Sequence, residues 1–188
     1  MGTLVAGLVL FFAVHAIPMR PDLRASLTGK LGTVLYQALF ALVSLAGLIL
    51  IIKGYRPASD LPLWARPSWS THATFLLMLP VFPLLIAAYL PGQVRKIIPH
   101  PMLMAVKFWA AAHLISNSDP ASLLLFGSFL AYAVIDLISV KRRQRAKGIM
   151  PKIGPIYNDV IATFIGLGLY AAMVLWGHGS LIGVTLVG

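Results

Sequence analysis

The sequence predicts an all-α protein, a polytopic transmembrane helix bundle of about six membrane helices in a single domain over residues 1–188, and three observations predict it. Hydrophobic residues make up 59% of the chain and charged residues 11%, and the mean hydropathy of +0.88 is far above that of a water-soluble domain. Six apolar runs alternate with clusters of Pro, Gly and charge. Fifteen Lys and Arg stand against five acids, all Asp, giving a net charge of +10 that is confined almost entirely to the short connections.

A helix crosses the hydrocarbon core with about 20 residues, fewer where flanking side chains snorkel. Residues 3–17 form the first run, read as a retained helix because Pro18, Met19 and Arg20 make a poor cleavage site for a leader. The second, 33–52, is uncharged up to Lys53. The third, 71–90, is also uncharged, and Pro80 and Pro83 should kink it. The fourth, 102–115, is short and carries Lys107 and His113. Asp136 is the one acid of the fifth, 121–140, and the sixth, 160–176, has no charge. Arg56, Pro57, Asp60, Pro62 and Pro67 punctuate the second connection, and Pro91, Gly92, Pro99 and Pro101 the third. Between the fourth and fifth runs lies a tight turn, 117–120, where Ser118 or Asp119 can cap the next helix. Trp64 and Trp69 sit beside the second connection and Trp176 at the end of the last run, where an interfacial belt would place them.

Charge assigns the sides. The odd-numbered connections hold eleven Lys and Arg and the even-numbered ones three, so the positive-inside rule places the basic loop 141–152 in the cytoplasm and both termini outside a bacterial inner membrane. That loop is a topology determinant suited to contact with anionic lipid of the bilayer. The absence of cysteine excludes disulfides, thiolate nucleophiles and Cys-ligated zinc or iron–sulfur clusters. Nucleic acid is no partner for these cations, which are scattered between apolar runs without a soluble scaffold.

Ionisable groups inside a span are costly and normally face protein, water or ligand. His15, Lys107, His113 and Asp136 are such groups, and His100 precedes the fourth run. Trp109, His113 and Asn117, spaced i, i+4, i+8, share one helical face able to hold a planar cofactor. Neutral imidazole ligates haem iron, and two histidines from different helices can clamp the ring, with His15 and His113 the natural pair. Equally open is a structural role, each imidazole bonding a carbonyl or hydroxyl of a neighbouring helix. Depth weighs against the pair, because His113 lies roughly 16 Å along its run at the helical rise, unless Lys107 snorkels and leaves it only about 9 Å deep. His72 and His178, at run ends, read as interfacial. Asp136 either pairs with Arg143, Lys107 or Arg20, or orients His15.

Several strings resemble a known family. FFAVHAIPMRPDLR (11–24), GYRPA, LWARPSW and HPMLMAVKFWAAAHLISNSDPASLLLFGSFLAYAVIDLISVKRR (100–143) resemble the NnrU family of bacterial integral membrane proteins, over nearly the whole chain. The family takes its name from a role linked to nitrite and nitric oxide reduction in denitrifiers. It is similar to the zeta-carotene isomerase of plants and cyanobacteria, which isomerises a cis double bond with a b-type haem. His15-Ala16 matches the isomerase's first histidine motif, and Trp109 to His113 matches its Trp-Cys-x-x-His stretch with Ala110 in place of Cys. Exchange between Cys and His ligation is therefore not expected, while bis-histidine haem b binding is. A more distant resemblance, to isoprenylcysteine-type membrane methyltransferases, rests on His100-Pro101 and lacks their later glutamates.

The resemblance implies haem b on His15 and His113, serving nitric oxide or an isomerase-like redox step on a lipophilic small molecule. His100, Lys107, Trp109, Asn117 and Asp136 are secondary candidates. The competing reading is a cofactor-free membrane factor that supports a partner reductase, and a methyltransferase ranks below both.

Overall fold

A computed structural model describes residues 1–55 and 62–187, and among them it contains nine α-helices and no strand. They are α1 (Gly2–Ala16), α2 (Pro21–Leu31), α3 (Thr33–Tyr55), α4 (Ser70–Met78), α5 (Val81–Tyr89), α6 (Pro101–Ser116), α7 (Pro120–Ala146), α8 (Ile156–Ala172) and α9 (His178–Ile182). Five segments are long and apolar enough to cross a membrane: Gly2–Met19, Thr33–Tyr55, Ser70–Tyr89, Pro120–Ala146 and Ile156–Ile182. Pro101–Ser116 is a shorter apolar helix. All six expected runs are therefore helical. Their outer faces carry large apolar side chains, such as Val34 at 81% and Phe164 at 74% exposure, which water would not tolerate in such continuity and lipid would. Trp64, Trp69 and Trp176 are likewise exposed. Arg56, Pro57 and Asp60 of the second connection lie outside the described residues.

The third run breaks where its prolines predict. Pro80 follows the end of α4 and serves as the N-cap of α5, while Pro83 occupies the first turn of α5, where no intrahelical N–H is required. The tail from Gly177 is still apolar, which allows the last helix to extend, and it does: α8 continues through a π-helical turn, Met173–Gly177, into α9. One helix has no counterpart in the expected runs. The first connection folds as α2, with Pro21 in its first turn, Asp22 beside it, Lys30 in the last turn and Gly32 at φ 76° beyond its end.

The chain divides into two compact units. In the first (Met1–Arg66 and Asn117–Val140), α1 packs on α3 through glycine. A Cβ on Gly7 would stand 2.6 Å from the Ile51 nitrogen, one on Gly47 would stand 3.0 Å from the Phe11 nitrogen, and one on Gly54 would overlap the Leu4 backbone. Bare backbone at three levels lets the two helices approach closely, the usual route to van der Waals association where lipid offers no hydrophobic drive. Asp119 caps α7 from the turn before it: Oδ1 accepts from the Ser122 N–H at 2.8 Å, and the Ser122 hydroxyl donates to Oδ2 at 2.6 Å. That hydroxyl also lies 2.8 Å from the Tyr55 hydroxyl, tying the cap to the end of α3.

In the second unit (Pro67–Ser116 and Lys141–Gly188), Val81, Leu84 and Ala105 form a core between α5 and α6. Gly166 of α8 lies directly against Pro83 of α5, where a Cβ would meet the proline ring nitrogen. The unit is closed by Asp159, whose carboxylate accepts from the Gln93 N–H at 2.6 Å and the Val94 N–H at 3.2 Å. Asn158 donates to the Pro91 carbonyl and the Gln93 amide to the Gly154 carbonyl, each at 2.6 Å. Charged acceptors on backbone N–H contribute about 1.5–3 kcal/mol. Asp159→Ala is accordingly expected to lower the thermal midpoint in detergent by about 5 °C. A circular-dichroism melt that does not move would show that this carboxylate contributes nothing.

Candidate functional site

His15 ends α1, half-buried among aromatic rings of the first unit. Its imidazole stacks on Phe11 at 4.0 Å between centroids, with Phe40 at 5.0 Å and Tyr132 at 6.1 Å. Its Nδ1 is 2.8 Å from the Phe11 carbonyl, one turn back on the same helix. A carbonyl only accepts, so Nδ1 carries the hydrogen and the neutral ring keeps its lone pair on Nε2. Tyr132 donates its hydroxyl to the His15 carbonyl at 3.2 Å. Asp136, one turn further along α7, lies within electrostatic reach of the imidazole. The Tyr36 hydroxyl is buried with no hydrogen-bond partner, one turn before Phe40 on α3.

His113 in α6 repeats the local geometry. Its Nδ1 is 2.8 Å from the Trp109 carbonyl, and the two rings are tilted at 5.3 Å. A lone pair is again directed to Nε2. Both Nδ1 atoms bond the helix they stand on. The expected three-residue face is shorter than its spacing implies. Helix α6 ends at Ser116, so Asn117 falls outside it and only Trp109 and His113 form the stripe. Trp109 also packs against the α5–α6 core. Lys107 is half-buried on α6, and Ala110, where the isomerase motif has Cys, is fully buried. On the same unit Thr74 of α4 donates to the Ala112 carbonyl at 3.0 Å and bonds Ser116, fixing the turn of α6 that bears His113.

His100 belongs to a different place. It stands immediately before α6, and its Nε2 is 3.0 Å from the Gln144 Oε1 near the end of α7. Two participants escaped the sequence reading. Gln144 has no sequence-local sign of its role, and His178, read as interfacial, lies within electrostatic reach of His113. The Nδ1 of His178 is 2.7 Å from the Val184 carbonyl, so its Nε2 too holds a lone pair in the neutral ring. Within the described residues no group of three His or Asp side chains could hold a metal ion.

Apolar spanning helices that carry histidines of defined tautomer within their aromatic packing mark a polytopic helical membrane protein. The chain belongs to the NnrU family: the family model, described as NnrU protein, matches residues 3–186. Neither the curated proteins nor the solved structures contain a match to it.

Proposed function

We propose that this NnrU-family chain is a bacterial inner-membrane protein that binds haem b through His15 and His113. The reading rests on one observation, that both imidazoles anchor Nδ1–H to a carbonyl of their own helix, which in the neutral ring puts the lone pair a ligand needs on Nε2. The Tyr36 hydroxyl, buried without a partner among the described residues on the ring next to the Phe40 that flanks His15, supports it, since a buried donor in a membrane helix gains by meeting an acceptor such as a propionate. When bound, haem b supplies a one-electron, ligand-binding iron, suited to nitric oxide in a denitrification-linked role or to an isomerase-like step on a lipophilic small molecule. The chain's own part is to fix the tautomers, hold His15 against Phe11 and Phe40, and keep Asp136 within electrostatic reach of that ring. The test is the visible spectrum of protein purified after haem-supplemented expression. Colourless protein would sink the proposal and favour a cofactor-free factor acting through a partner reductase.

Within unit two, His178 lies within electrostatic reach of His113, which supports one other ligand pair, His113 with His178. A Soret band that survives His15→Ala but not His178→Ala selects it.

The charge bias supports the cytoplasmic placement of 141–152 and external termini. Alkaline phosphatase fused to the C-terminus is expected to be active and a cytoplasmic-only fluorescent reporter dark, and the opposite pattern would overturn this topology.

A further inference from the structure

At the end of α7 the helix terminates in a Schellman turn. The Ile149 N–H donates to the Gln144 carbonyl at 3.0 Å and the Gly148 N–H to the Arg145 carbonyl at 3.3 Å, with Gly148 left-handed at φ 61°. The turn folds Ile149 and Met150 back toward the segment before α6, and the bond between His100 and Gln144 fixes the facing wall. Between them lies a cavity of about 500 Å³, lined by His100, Lys141, Gln144 and Arg145 on its polar side and by Ile97, Ile149 and Met150 among its apolar residues. Ile97 and Met150 are 86% and 82% exposed, so apolar surface flanks a cationic recess.

We infer that this recess binds the phosphate of an anionic glycerophospholipid headgroup. Three features carry it. The volume suits a glycerophosphate group rather than a single ion. Lys141 and Arg145 are spaced i, i+4, so they share one face of α7 and both line the recess. Gln144, whose Oε1 meets His100 Nε2, adds an amide NH2 donor suited to a phosphate oxygen without loss of that bond. The exposed apolar side chains favour an amphiphile, since free phosphate would gain nothing from them. The family's haem reading plays no part in this inference, which stands or falls on its own.

The test uses full-length protein in maltoside micelles titrated calorimetrically with dioctanoyl phosphatidylglycerol, dioctanoyl phosphatidylcholine and glycerol phosphate. Wild type is expected to bind the anionic lipid at least about tenfold more tightly than the zwitterionic one. Lys141→Ala/Arg145→Ala should lose about tenfold, while Arg142→Ala/Lys147→Ala, which removes the same charge from residues that do not line the recess, should lose less than about threefold. Equal losses in the two double variants would reduce the effect to diffuse charge and overturn the site. Glycerol phosphate binding as tightly as the lipid, with the same sensitivity, would make the ligand a free phosphate ester and overturn the lipid assignment. Equal binding of the two lipids would do so as well. Unchanged melting midpoints certify that each variant is folded.

Discussion

Gly7→Leu is expected to lower the thermal midpoint in detergent by about 10 °C, the largest stability effect of any single substitution considered. At this position a Cβ would stand 2.6 Å from the Ile51 nitrogen and 2.9 Å from both the Gly47 carbonyl oxygen and the Leu50 Cβ. Two of those three atoms are backbone of α3 and cannot rotate away, so α1 must lift off along its length. Overpacking of this kind costs about 3 kcal/mol, which at this chain length corresponds to roughly 6–12 °C. Leucine also raises helix propensity by about 0.8 kcal/mol over glycine, an opposing gain that must be separated out. Gly168→Leu on α8 isolates it, because nothing lies within 4 Å of a Cβ there. The pair is informative only together: Gly168→Leu should be neutral or slightly stabilising. A Gly7→Leu protein that melts with the wild type would mean that α1 and α3 do not rely on close backbone approach.

The second large effect concerns colour. On the proposed haem reading, wild-type protein from haem-supplemented cells is expected to show a Soret band, and His113→Ala to lose most of it, with bound haem falling by about tenfold or more once that imidazole is removed. His15→Ala should do the same. Trp109→Phe keeps an aromatic ring beside His113 and leaves the Trp109 carbonyl in place, so it should retain haem with at most a small band shift. Retention of a full, unshifted band in both histidine variants would exclude His15 and His113 as ligands. Addition of imidazole provides a further check, since a lost ligand is often replaceable by the free base, and recovery of the band in His113→Ala would assign the defect to ligation rather than folding.

How much of this was legible beforehand depends on the range of the interaction. Hydropathy is local, so all six apolar runs appear as helices, and the Pro80 break and the Asp119 cap follow from residues adjacent in sequence. Helix α2 was hidden by its charges, yet its signal was present: Pro21 just inside the start and Gly32 just past the end bracket eleven residues. Asn117 was misplaced because spacing alone extends a stripe beyond the point where the helix stops. Asp159 could not have been foreseen as the partner of Gln93, 66 residues earlier, because nothing local marks a carboxylate as the acceptor for a distant turn. The same holds for the bond between His100 and Gln144. For His15 and His113 the tautomer was not readable, since it depends on which ring nitrogen meets a carbonyl.

Helix α7 is longer than a membrane requires. Its 27 residues extend about 40 Å at the helical rise, against about 30 Å of hydrocarbon. The 21 residues before Lys141 already match that thickness, so the helix has about six residues more than a crossing needs, and they carry Lys141, Arg142, Arg143 and Arg145. Height and azimuth of each of these cations are then set together. Removing one residue below Lys141 would lower the cationic turn by only about 1.5 Å but swing it by about 100° around the axis. Length changes here are tolerable only in near-whole turns of three or four residues, which makes α7 a gauge with a fixed pitch rather than an adjustable tether.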